Sequence, residues 1–134
     1  MFVLSVHPKR RGLTEITDTV RGWVEKQAIS QGLLTLFCRH TSASLLVQEN
    51  AARAVRSDLE KFFDELAPES GEYEHDDEGP DDMPAHLKTA LTQVQLNVPV
   101  MDGKLMLGTW QGIYLFEHRS RPSTREIVLH VVGE

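Results

Sequence analysis

Eight strand-length apolar stretches recur along the chain, several of them alternating apolar with polar residues. They are Phe2–Val6, Leu13–Ile16, Leu33–Cys38, Ala43–Val47, Val94–Val98, Leu105–Leu107, Trp110–Glu117 and Glu126–Val132. A period of two sends successive side chains to opposite faces, so one face of each such strand must find a core. Helical signals interrupt this pattern only three times. The first helix starts at Thr17 or Asp18, either of which can cap free N–H groups, and runs to just before Gly32. The second runs from Asn50 to Leu66 with apolar positions Ala51, Val55, Leu59, Phe62 and Leu66 at helical spacing. The third is capped by Asp82, carries Pro84 in its first turn and continues through His86 to Leu91. Strands and helices do not alternate as βαβ units. The pattern therefore predicts one α+β domain over residues 1–134, built on a mostly antiparallel sheet or sandwich with about three helices. Asp102-Gly103 predicts a tight hairpin. Arg119 to Thr124 is read as a second turn that leaves the last third of the chain as an antiparallel meander.

Composition narrows the functional classes. A 134-residue chain, 40% apolar with mean hydropathy −0.30, fits a globular protein able to bury its own core. No stretch reaches the roughly 18 apolar residues of a membrane span, and the N-terminus lacks the pattern of a signal peptide. The single cysteine, Cys38, excludes an internal disulfide, and a free thiol suits the reducing cytoplasm. A net charge of −6 argues against nucleic acid as a partner, because backbone affinity needs clustered Lys and Arg. The charge is uneven. Glu69 to Asp82 holds eight acids and no Lys or Arg, whereas Arg119, Arg121 and Arg125 cluster later. The acidic run reads as a solvated loop.

Three histidines stand where backbone would hold them. His40 follows a strand end and opens His40-Thr-Ser-Ala-Ser44, His75 lies in the acidic loop, and His86 falls in the first turn of the third helix. Together they could form a three-nitrogen set with an open position, as in catalytic zinc sites, with Glu49, Asp58, Asp76 or Glu78 orienting the rings. Hydrogen-bonded structural histidines fit the same pattern. Asp58 sits three residues after Val55 and four before Phe62, a carboxylate on an apolar helix face that is either buried and paired or at an edge reaching solvent. Glycines flank Trp110 in Gly108-Thr-Trp-Gln-Gly112, which implies close approach of another backbone, a bulge or a ligand; Trp110 packing as core, with the glycines allowing tight subunit contact, fits the stretch equally. Arg119, alternating onto the face of Glu117, is the arginine expected to pair with that carboxylate and meet an anion; Lys88 is another available cation. No nucleophile elbow, phosphate-binding loop or dinucleotide fingerprint is present.

These segments resemble the YjbQ-like family: His40-Thr-Ser-Ala-Ser44, Glu49-Asn50, Asp58, Asp81-Asp-Met-Pro-Ala-His86, Pro99-Val-Met-Asp-Gly103 and Leu107-Gly-Thr-Trp-Gln-Gly-Ile-Tyr114. The resemblance spans nearly the whole chain. It implies an α+β subunit of a homotrimer and a histidine-rich pocket for a divalent metal, zinc or magnesium. It further implies a weak thiamine-phosphate synthase activity, joining hydroxyethylthiazole phosphate to an aminopyrimidine pyrophosphate and releasing pyrophosphate. On this reading His40, His75 and His86 bind the metal, and Glu49, Asp58 and Arg119 serve the chemistry on a small phosphorylated molecule. The competing readings are a metal- or ligand-binding trimer without catalysis and a structural trimer whose histidines are ordinary core or loop residues.

Overall fold

The alternation of apolar and polar residues decides which side of each strand meets the core. The computed structural model describes residues 1–134. In chain order the elements are β1 (Phe2–Val6), β2 (Gly12–Glu15), α1 (Thr17–Glu25), β3 (Gln31–Cys38), β4 (Ala43–Glu49), α2 (Arg53–Leu66), α3 (Asp82–Leu91), β5 (Gln95–Met101), β6 (Lys104–Leu105), β7 (Gln111–Glu117) and β8 (Arg125–Gly133). Every pairing is antiparallel, in a five-stranded sheet ordered β1-β8-β3-β5-β6 and a three-stranded sheet ordered β2-β7-β4. The α+β class holds, as a sandwich of two antiparallel sheets with three helices.

Between the sheets lies the main core. Leu34, Leu36, Leu96, Val98, Ile127 and Leu129 of the larger sheet meet Ala43, Leu45, Ile113 and Leu115 of the smaller one, and Val20 and Val24 of α1 close one end. Each large aliphatic side chain so buried contributes roughly 1.5–3 kcal/mol. On the other face of the smaller sheet, Leu13, Tyr114 and Phe116 are covered by Leu59 and Phe63 of α2. The outer face of the larger sheet is left to solvent, with Val3, Leu33, Phe37 and Val132 exposed on it.

Several expectations need correction. No meander forms after β6, because β7 belongs to the smaller sheet and β8 crosses to the larger one, between β1 and β3. The first helix ends at Glu25, not near Gly32. Ala28, at φ 55°, turns the chain so that Gln31 and Gly32 can pair with Met101 and Val100. Neither Thr17 nor Asp18 caps that helix; Thr17 Oγ1 donates to Glu15 and accepts from the Ile113 N–H at 2.8 Å. The second helix starts at Arg53, and its covered row is Leu59 and Phe63, which leaves Phe62 and Leu66 exposed. The hairpin at Asp102-Gly103 is as expected, both residues having positive φ (51° and 74°), as a type I′ turn requires. No helix is long and apolar enough to cross a membrane.

Candidate functional site

Helical periodicity makes the first half of the site. Asp82 and His86 are four residues apart at the start of α3, so they share a face, and His86 Nε2 lies 3.2 Å from Asp82 Oδ2. The acidic loop brings the rest. His75 Nε2 is 2.8 Å from Asp82 Oδ2 and 3.0 Å from Glu78 Oε2, and the two imidazole rings are 5.8 Å apart. One donor atom from each of His75, Glu78, Asp82 and His86 lies within 4.8 Å of the others.

Hydrogen bonds behind the cluster set its protons. The Thr41 carbonyl, 3.0 Å from His86 Nδ1, can only accept, so Nδ1 carries the hydrogen and a neutral His86 keeps its Nε2 lone pair. Arg119 braces the carboxylates: its Nε donates to Asp81, one terminal nitrogen to Asp82 Oδ1 and the other to the Glu78 carbonyl. With Oδ1 so engaged, Oδ2 of Asp82 faces the histidines. Burial would raise the pKa of Asp82, but the His75 hydrogen bond and the charges of His86 and Arg119 outweigh it and hold the carboxyl below its ordinary range. Asp81 is lowered for a similar reason: burial is overcome by the Ser120 N–H and Arg119. His75 is raised, by its hydrogen bonds to Asp82 and Glu78.

Beside the cluster an open cleft of about 690 Å³ is lined by Phe37, Arg39, His40, His86, Ala90 and Val94, among others. The structure thus brings His75 and His86 into one donor cluster and leaves His40 outside it, on the wall of the cleft that His86 also lines. His40 Nε2 accepts the backbone N–H of Glu126 at 2.8 Å, so that nitrogen is not open to a metal. Glu49 and Asp58 are not in the site. Glu49 ends β4, roughly 20 Å along the strand from Ala43 at about 3.3 Å per residue, and its Oε2 accepts the Ala52 N–H at the start of α2. Asp58 is exposed, in a row with Phe62 and Leu66 that α2 turns away from the sheet. The expected Glu117–Arg119 ion pair is replaced by a buried one between Glu117 and Arg125, and Arg119 turns to Asp81 and Asp82. Lys88 is buried with its ammonium 2.6 Å from Asp64.

Two features go beyond what the sequence predicts. Asp82 reads there as a helix cap, yet its spacing from His86, four residues on a first helical turn, is the available signal for a shared face. The second is His118, fully enclosed, with Nε2 2.9 Å from Ser44 Oγ, which in turn lies 2.7 Å from Thr92 Oγ1. Burial first, then the charges of Lys88 and Arg125, push its pKa down to about 3. Ser44 is equally enclosed, so this Ser–His pair has no access to a substrate. Trp110 sits in an exposed turn ahead of β7, and the close approach at Gly112 is made by Glu15 and Asn50 side chains, 2.5 and 3.1 Å from where a Cβ would stand. Cys38 is a buried thiol raised to about 11 by desolvation.

Known proteins share this arrangement of elements. The family model described as UPF0047 protein YjbQ-like matches residues 3–134. A UPF0047 protein of Synechocystis is 46% identical across 98% of this chain and 90% of its own length. The UPF0047 protein YjbQ of Escherichia coli O157:H7 is 42% identical across 98% and 96%. The crystal structure of an uncharacterized YjbQ/UPF0047 family protein from Clostridium acetobutylicum superposes with a TM-score of 0.90 at 30% identity, covering 98% of this chain and 100% of that one. A conserved hypothetical protein from Thermus thermophilus gives 0.87 at 34% identity, covering 98% and 100%. On the family match and these identities, the chain belongs to the YjbQ-like UPF0047 family.

Proposed function

We propose that His75, Glu78, Asp82 and His86 hold a divalent cation and that the adjoining cleft presents a small phosphorylated molecule beside it. One observation carries this reading: four donor atoms from four side chains lie within 4.8 Å of one another. Two imidazole nitrogens and two carboxylate oxygens suit zinc; magnesium prefers an all-oxygen shell and keeps much of its water. When bound, such an ion supplies charge neutralisation to a departing pyrophosphate. The chain's own residues bind and orient. Arg119 aims the Asp82 carboxylate, Thr41 fixes the proton of His86, and Phe37, Ala90 and Val94 give the cleft an apolar wall. Since three guanidinium nitrogens of Arg119 already donate to Asp81, Asp82 and Glu78, Arg119 is a positioning residue in this reading and not the anion contact.

The activity that goes with this reading is a weak thiamine-phosphate synthase, in which hydroxyethylthiazole phosphate joins an aminopyrimidine pyrophosphate and pyrophosphate leaves. The working form is a homotrimer in the cytoplasm. Supporting the assembly is the uncovered apolar face of the larger sheet; supporting the compartment is the free thiol of Cys38. The test is dialysis against zinc followed by metal analysis, then pyrophosphate release from the two substrates. One zinc per chain, lost in His75→Ala and His86→Ala, together with zinc-dependent release, is the expected result. Zinc bound without release would leave a non-catalytic binding protein, and no zinc bound would end the metal reading.

A further inference from the structure

The β3–β8 ladder ends in an unusual way. Beyond the Cys38–Ile127 pair, the Arg39 N–H donates to the Glu126 carbonyl at 3.2 Å, as the ladder would continue. The reciprocal bond does not go to a carbonyl. The Glu126 N–H donates instead to His40 Nε2 at 2.8 Å, so an imidazole takes the place of the next backbone acceptor.

That substitution leaves His40 a single chemical role. A backbone N–H can only donate, so Nε2 must be the bare nitrogen and the ring's one hydrogen resides on Nδ1. Protonating the ring would set two N–H groups against each other at 2.8 Å. In this arrangement neither nitrogen offers a free lone pair, so His40 stands outside the metal-ligand set and does not act as a general base. Burial and the Arg125 charge lower its pKa, in keeping with a neutral ring. Nδ1 has no partner within the chain, and it is not enclosed: the only sealed, unpartnered side-chain nitrogen or oxygen is His118 Nδ1. His40 lines the cleft, next to His86 and the apolar Phe37, Ala90 and Val94.

We infer that His40 is a fixed hydrogen-bond donor in the cleft, its Nδ1–H directed at a phosphoryl oxygen of a ligand whose flat apolar body lies against Phe37 and Val94. The occupant rests on the function proposed above; the state of the ring does not. His40 thereby contributes to phosphoryl recognition without touching the cation, and the cleft selects ring-bearing phosphate esters over bare phosphate.

Nitrogen NMR of the full chain reads the ring first: a bare Nε2 and a protonated Nδ1 are expected, and the opposite tautomer would overturn the inference without any variant. Phenyl phosphate, a ring bearing one phosphoryl group, is then titrated into wild type, His40→Gln and His40→Asn, each with and without zinc. Gln can still accept the Glu126 N–H but loses the donor; Asn places an N–H near the position of Nδ1. Gln should bind phenyl phosphate about tenfold or more weakly, the scale of a hydrogen bond to a charged group, and Asn should recover most of it. Zinc affinity should be equal in all three. Equal phenyl phosphate affinity in Gln and wild type, or no binding to wild type in either condition, would sink the inference, as would zinc affinity lost in His40→Gln. A wild type that takes phenyl phosphate but no zinc would sink the proposed metal site alone.

Discussion

His118 shows how one enclosed side chain ties stability to acidity. Its folded pKa is near 3 while the unfolded ring titrates near 6.5, so between those values only the unfolded chain takes up the proton. Stability therefore falls as pH drops below 6.5, by about 1.4 kcal/mol per pH unit from this group. His40, also lowered, acts in the same direction, while the raised His75 opposes it. Asp81 and Asp82 are depressed, so their contributions persist until pH falls through the ordinary carboxylate range near 3.8. Urea unfolding at pH 7, 6 and 5 should show wild type losing stability on acidification, with a shallower loss in His118→Gln; parallel curves would remove His118 as the cause. At the cluster, Arg119→Ala should weaken zinc binding by about 10- to 100-fold, because Asp81 and Asp82 lose the group that aims them. Asp58→Asn, on the exposed row of α2, should leave zinc affinity unchanged and stability within about 0.5 kcal/mol. A chelator competition on both variants checks the pair.

Elements set by short-range chemistry were legible in the sequence; those set by partners far along the chain were not. Asp102-Gly103 reads as a turn because the requirement for positive φ is local, and Gly103 has room for a Cβ, its nearest neighbour standing 3.7 Å away. Gly103→Ala should therefore cost about 1–2 kcal/mol through backbone conformation alone, measurable by thermal or urea unfolding. By contrast, the face of α2 could not be fixed from spacing, since Val55 and Leu59 continue equally well to Phe62 or Phe63. Packing decides it: the Phe63 ring meets Phe116 edge-on with centroids 5.5 Å apart. Phe63→Ala should destabilise by about 2–3 kcal/mol and Phe62→Ala by less than about 0.5, given how far each is covered. The same limit applied at the site. His75, His86 and Arg119 were recognisable as chemistry-bearing residues, but the bond from Arg119 to Asp82 spans 37 positions and the one from His40 to Glu126 spans 86, and neither leaves a local trace.

On the scale of the whole molecule, the outer face of the larger sheet is an apolar surface without a partner. Val3, Leu33 and Val132 stand on it at 44%, 42% and 62% exposure, an apolar surface of the kind that marks contacts between subunits. If this face carries the trimer, light scattering at micromolar concentration should give three times the chain's 15.1 kDa, and Leu33→Glu should reduce it to one. A monomeric wild type would leave the face without that role. The position of β8 has a different consequence. The strand at the centre of the β1-β8-β3 pairing is the last element of this domain to leave the ribosome. Until it arrives, β1 has no neighbour and β3 is paired on one side only, so the larger sheet cannot close before β8 is made. Nascent chains stopped short of Arg125 should stay protease-sensitive in β1 and along the open edge of β3, and the larger sheet should snap shut only once β8 has been made.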